Sequence, residues 1–148
     1  MIGLVIVTHG QLAKSFAEAI EHVVGPRENI RAICIFPNEN IDQYRENILK
    51  AVEEVDKGKG VILLTDLFGG TPSNLAISAL GLKPIDVIAG INLPMLVRLA
   101  KLPEVTSLKD AVAEALEAGR KHIHAASTLL EGNIIAPVTA DQIMQGNG

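Results

Sequence analysis

Apolar runs too short for a helix, each followed by a stretch with helical spacing, constrain this chain more than any other feature. Ile2-Gly3-Leu4-Val5-Ile6-Val7 is a continuous apolar run of strand length. Ile30 to Phe36, Val61 to Thr65 and Ile85-Asp86-Val87-Ile88-Ala89 repeat the pattern. A strand that stays apolar without alternating is buried on both faces, the condition of a parallel sheet covered by helices. The intervening segments supply such helices. Gln11 to Val23 carries Leu12, Phe16, Ala19, Ile20 and Val23 on one stripe before Gly25-Pro26 ends it. Ile41 to Val55 sets Ile41, Tyr44, Ile48, Val52 and Val55 on a buried face, with Asp42, Arg45, Glu46 and Lys50 in water. A short helix is expected over Pro72 to Leu80 and another from about Pro94 to Leu102. A longer one runs from Ser107, a suitable N-cap, to about Thr128.

This alternation predicts an α/β fold: a doubly wound, mostly parallel sheet with helices on both faces and right-handed crossovers. The expected strand order is 2-1-3-4. Asn133 to Val138 is a candidate for an additional antiparallel strand, so residues 1–130 read as the domain and 131–148 as a C-terminal strand or tail. The 148 residues are 48% hydrophobic but only 3% aromatic, so Ile, Val, Leu and Ala must fill the core. With a net charge of −4, no block of Lys and Arg, and few aromatics to stack on bases, nucleic acid is not an expected partner. The lone Cys34 lies in an apolar run and reads as a small core residue. The apolar runs are too short to span a membrane, and the N-terminus lacks the flanks of a signal peptide. A cytoplasmic protein is the expectation.

Open parallel sheets bind ligands beyond the carboxyl ends of their strands, where the strand order reverses. In the order 2-1-3-4 that place lies between strands 1 and 3. Strand 1 ends in Thr8-His9-Gly10, and strand 3 ends in Thr65-Asp66, followed by Leu67-Phe68-Gly69-Gly70-Thr71-Pro72-Ser73-Asn74. Neighbouring strands lie about 4.8 Å apart, so His9 and Asp66 can meet. An imidazole that attacks through one nitrogen carries its proton on the other. A carboxylate accepting that N–H fixes the tautomer and stabilises the developing cation. Histidine then serves as a covalent carrier.

A transferred phosphoryl group also needs a cradle. Thr71-Pro72 reads as a helix start, with Thr71 as N-cap and Pro72 at the first helical position. Backbone N–H groups near Ser73 and Asn74 would favour an anion there. Gly69 and Gly70 let the loop backbone come close. The Thr71 hydroxyl either donates to a phosphoryl oxygen or caps its own helix. Taken singly, each piece has a plainer reading: a solvated histidine, a loop-capping aspartate, a glycine turn. Their convergence at one reversal of strand order is what distinguishes a site from these plainer readings.

Other candidates are weaker. His22 sits near a helix end, where a cation is favourable. His122 and His124 lie two apart on a helix and point to different sides, so they do not chelate one metal. Gly58-Lys59-Gly60 precedes a strand, whereas a phosphate loop follows one. No cofactor or metal is expected.

Three segments carry a family resemblance. They are Gly3-Leu4-Val5-Ile6-Val7-Thr8-His9-Gly10, Thr65-Asp66-Leu67-Phe68-Gly69-Gly70-Thr71-Pro72-Ser73-Asn74, and Gly90-Ile91-Asn92-Leu93-Pro94-Met95-Leu96. From Met1 to about His124 the chain resembles the enzyme IIA domain of the mannose family of the bacterial sugar phosphotransferase system. The resemblance implies that His9 takes a phosphoryl group from the phosphocarrier HPr, on Nε2, and passes it to a IIB domain for sugar uptake. It implies that Asp66 orients the ring, that the Thr71 hydroxyl lies at the phosphate, and that Nδ1 faces the aspartate. It also implies a homodimer whose C-terminal strand can be exchanged. Many such domains continue through an Ala/Pro-rich linker into IIB, so a separate IIB partner, with membrane IIC and IID subunits, is expected here. A domain of a dihydroxyacetone-kinase phosphoryl donor is similar but lacks the Asp-Leu-Phe-Gly-Gly-Thr-Pro pattern.

Two further readings stay open. One is a regulatory phospho-acceptor module that controls a partner protein without sugar transport. The other is a flavodoxin-like ligand-binding domain whose crevice is unused. For a phosphoryl carrier, Leu67 and Phe68 are expected at the mouth of the crevice, where exposed apolar groups form a transient docking surface for HPr. Glu39 and Asp42 are the nearby acids that would steer its approach.

Overall fold

The computed structural model describes residues 1–81 and 83–131. In chain order its elements are β1 (Gly3–His9), α1 (Leu12–Val24), β2 (Ile30–Ile35), α2 (Ile41–Val55) and β3 (Val61–Thr65). They continue as α3 (Thr71–Ile77), β4 (Ile85–Ala89), α4 (Leu93–Ala100), α5 (Leu108–Lys121) and α6 (Ala126–Glu131). The strands form one sheet in the order β2-β1-β3-β4, and each pairing is parallel. This is the expected α/β architecture. The flanking strands also explain their own sequences. β1 and β3 are central, buried on both faces and continuously apolar, whereas the edge strands β2 and β4 admit Arg31 and Asp86.

Alternation along the strands divides the core in two. Leu4, Ile6, Ile62, Leu64 and Ile88 face one side, packed with Ile20 of α1, Met95 and Leu96 of α4, and Ala111 and Ala115 of α5. Val5, Val7, Ile35, Val61 and Leu63 face the other, against Tyr44, Ile48 and Val52 of α2 and Leu75 and Ala76 of α3. Burying each large aliphatic side chain is worth about 1.5–3 kcal/mol, so both layers hold the strand ends in place. His9 shares the alternation of Val5 and Val7, which directs it to the α2/α3 side.

Caps set where the helices begin. Ser107 accepts from the Asp110 N–H, as its sequence position predicts. Asn40 accepts from the N–H groups of Asp42 and Gln43 at the start of α2. Asn92 accepts from the Met95 N–H, and its amide donates to the Gly119 carbonyl at 2.8 Å, fastening α4 to α5.

Several expectations are corrected. The helix predicted to run to Thr128 stops at Lys121 and resumes as α6. Leu12 and Val23 are exposed at the two ends of α1, which buries Ile20 as expected and Ala13 in place of Leu12. Ile41 is also exposed, at the first residue of α2. Cys34 is half-buried against the first core layer. The candidate strand Asn133 to Val138 lies outside the described residues. Among the described residues no helix is long and apolar enough to cross a membrane.

Candidate functional site

β1 and β3 lie side by side with Val7 opposite Thr65, so His9 and Asp66 emerge together at the carboxyl end of the sheet. The turn after His9 needs a left-handed residue, supplied by Gly10 at φ 54°. Its N–H donates to the Ile35 carbonyl at 2.8 Å. Thr8 points to the opposite side from His9, is fully buried, and accepts the Ala13 N–H at 2.6 Å. That bond ties the start of α1 to the end of β1. The sequence reading overlooked Thr8, although a hydroxyl beside a strand-end histidine and before a helix is the signal for it.

Asp66 holds His9 twice. Its Oδ2 accepts from the backbone N–H of His9 at 3.1 Å and lies 2.8 Å from the ring Nδ1. Its Oδ1 accepts from the Leu67 N–H at 3.1 Å. Partial burial pushes the Asp66 carboxyl up, but the hydrogen bonds from the His9 ring and backbone, with the ring's charge, outweigh it. The net result is a pKa below the ordinary aspartate value. The group is therefore a carboxylate near neutrality and can only accept. Nδ1 must carry the proton facing it, which leaves the lone pair on Nε2. The Asp66 side chain is only 12% exposed and the His9 side chain 51%, so the orienting group is covered while the ring is within reach of a large partner.

Gly70 lies against the free nitrogen. A Cβ on Gly70 would stand 2.8 Å from Nε2 and 2.6 Å from Cε1 of His9. The bare backbone here is thus a requirement of the ring's position. α3 begins at Thr71 with Gly70 as its N-cap, which corrects the expectation that Thr71 caps the helix. Thr71 is exposed at the first helical position, one residue past the cap. It lines the same cleft as His9.

The Ser73 side chain turns inward, away from the cleft. It is fully buried, and its hydroxyl accepts from the Gly69 N–H and donates to the Gly70 carbonyl, both at 3.0 Å. The Asn74 N–H also donates to the Gly70 carbonyl, at 3.1 Å. Neither the Ser73 hydroxyl nor the Asn74 N–H is turned outward to a ligand.

The cleft beside His9 has a volume of about 280 Å³. Its far wall is the segment after β2, with Phe36, Pro37, Asn38 and Glu39. Tyr44 fastens that wall: its hydroxyl accepts from the Phe36 N–H and donates to the Glu39 carboxylate. Burial, followed by the Glu39 contact, pushes the Tyr44 hydroxyl pKa up. Leu67 and Phe68 stand 50% and 65% exposed on the loop between β3 and α3. Of the acids expected to steer a partner, Glu39 is spent on Tyr44, and Asp42 pairs with Arg45 on its own helix at 3.0 Å.

His122 and His124 lie away from this site, with ring centroids 6.2 Å apart. Burial, helped by Lys121, His124 and Arg98, lowers the His122 pKa and disfavours its cation. Among the described residues no three His, Cys, Asp or Glu side chains gather to hold a metal ion.

The model of a family described as "PTS system fructose IIA component" matches residues 3–116. The mannose-specific EIIAB component of Escherichia coli K12 is 36% identical over 126 residues, covering 84% of this chain and 39% of that protein. The chain therefore spans about two-fifths of the length of that relative. The fructose-specific EIIA component of Bacillus subtilis 168 is 33% identical over 111 residues, covering 74% of this chain and 76% of that protein. Among solved structures, a phosphotransferase system EIIA component from Streptococcus agalactiae superposes with a TM-score of 0.77 at 28% identity, covering 86% of this chain and 99% of the other.

Proposed function

The chain belongs to the mannose, fructose and sorbose family of EIIA components of the sugar phosphotransferase system, and from that premise we propose that it is a cytoplasmic phosphoryl carrier acting through His9. One observation carries the reading: Asp66 Oδ2 lies 2.8 Å from Nδ1 of His9, so the carboxylate favours the tautomer whose lone pair is on Nε2, at the edge of the ring beside Gly70 and the cleft.

In the proposed step, the Nε2 lone pair of His9 attacks the phosphorus of phospho-HPr. The bond from phosphorus to the donor's imidazole nitrogen breaks, and that imidazole leaves with the bonding pair. His9 becomes cationic, and the Asp66 carboxylate stabilises the charge through Nδ1–H. The Thr71 hydroxyl, free of capping duty, donates to a phosphoryl oxygen, and the glycine backbone at Gly70 leaves room for the group. The reverse chemistry then delivers the phosphoryl group to a IIB component. Phe68 and Leu67 provide the apolar contact for HPr.

The test is phosphorylation of the full chain with phosphoenolpyruvate, enzyme I and HPr. An acid-labile, base-stable phosphoprotein is expected from the wild type and none from His9→Ala. Undiminished labelling of a folded His9→Ala protein would refute the assignment.

A further inference from the structure

The geometry points to Ser73 as a positioning residue for His9, acting through Gly70; this deepens the reading of His9 as the phosphoryl acceptor and rests on it. Ser73 is a polar side chain with no exposed surface, and both of its hydrogen bonds go to the two glycines of the loop. The hydroxyl receives the Gly69 N–H and gives its proton to the Gly70 carbonyl, so one oxygen closes the loop on itself. Gly69 sits at φ 91°, a conformation that does not hold itself in place once its N–H partner is lost. Gly70 stands so near the reactive nitrogen's side of the ring that a Cβ on it would lie 2.8 Å from Nε2.

His9 is thereby held from two directions. Asp66 holds Nδ1 by a hydrogen bond, and the Gly70 backbone limits how far the ring can swing at its Cε1–Nε2 edge, where a Cβ would not fit. Without the second, a half-exposed ring can swing about its bonds while keeping the first. The Ser73 bridge determines how close Gly70 stands, and so where Nε2 points. Ser73 never meets the phosphoryl group in this arrangement. Its role differs from that of Thr71, which is two residues earlier, exposed, and lines the cleft.

The experiment compares the full-length wild type with Ser73→Ala in single-turnover phosphorylation by phospho-HPr, alongside amide hydrogen exchange at Gly69. Expected for a folded Ser73→Ala protein are faster exchange at Gly69 and a transfer rate constant about ten- to a hundred-fold lower, the scale of a misplaced reacting atom. The KM for phospho-HPr should be unchanged, because the docking surface is untouched. A general loss of structure would move KM and stability together, which separates it from positioning. A wild-type transfer rate in folded Ser73→Ala overturns the proposal, whether or not Gly69 exchanges faster. If Ser73→Ala does not fold, Ser73→Cys takes its place under the same criteria, and failure of both to fold makes Ser73 structural only. Absence of phosphorylation in the wild type would instead refute the acceptor reading itself.

Discussion

Adding one carbon at Gly70 is the sharpest perturbation of this site. Gly70 has φ −102° and ψ 172°, extended backbone that alanine adopts without strain. Any effect of Gly70→Ala must therefore come from the new Cβ. That atom would stand 2.6 Å from Cε1 of His9, about 0.9 Å inside a comfortable carbon–carbon separation of ~3.5 Å. Either the loop or the ring must yield. The Gly70 carbonyl is held by two hydrogen bonds, from the Ser73 hydroxyl and the Asn74 N–H, and Gly69 is held by a third. The ring is held by one side-chain bond and is half exposed. The ring moves, and by nearly the whole overlap. A shift of about 1 Å at a reacting atom costs roughly 100-fold in rate, or about 2.7 kcal/mol of barrier. Global stability should change little, because reduced freedom of the unfolded chain offsets residual strain. Rapid-quench phosphorylation by phospho-HPr measures the rate, and nitrogen NMR of the ring reports whether Nδ1–H still faces Asp66. A Gly70→Ala protein that accepts phosphate at the wild-type rate with an unmoved ring would refute the reasoning.

The arrangement of strands was readable because burial on both faces writes itself into sequence. β1 and β3 leave no polar residue between Gly3 and Val7 or between Val61 and Leu64, which only a covered parallel sheet demands. His9 and Asp66 followed from that layout, since both lie at strand ends on either side of the reversal. What was not readable depends on rotation by one residue or on contacts between distant segments. A helix starting Gly70-Thr71-Pro72 and one capped by Thr71 have the same composition, and the backbone at Gly70 decides between them. The inward turn of Ser73 follows from that one-residue choice. Leu12 looked like part of a buried stripe, but the turn at Gly10 sets α1 so that Ala13 faces the core. The interruption after Lys121 carries no glycine or proline of its own to announce it, and Leu116 and Ile123 keep helical spacing across it, so the pattern reads as one continuous helix. The contact of Gly70 with the His9 ring joins residues on different elements, and no periodic signal encodes it.

Two further outcomes test the site. Asp66→Asn should keep the fold but slow phosphoryl acceptance about 100- to 1000-fold, because an amide neither stabilises the cation nor enforces the tautomer; a wild-type rate in the same rapid-quench assay would leave Asp66 a structural residue. Its carboxyl should titrate by carbon NMR below 3.8, the ordinary value. The sign follows from that depression: the stabilisation Asp66 gives the fold is complete above 3.8 and disappears as pH falls through the lower folded-state value. Finally, Phe68→Ala tests the docking surface. Phe68 is 65% exposed, so its removal opens no cavity and should leave the melting temperature nearly unchanged. If the ring packs against HPr at the cleft mouth, the same change raises the KM for phospho-HPr while the transfer rate at saturation stays near wild type, the signature of lost uniform binding. Asp42 is already paired with Arg45 whereas Glu39 keeps its charge while accepting from the neutral Tyr44 hydroxyl, so any salt dependence of this association should trace to Glu39. A well-folded Phe68→Ala protein with unaltered KM would place the HPr contact elsewhere on the rim of the cleft.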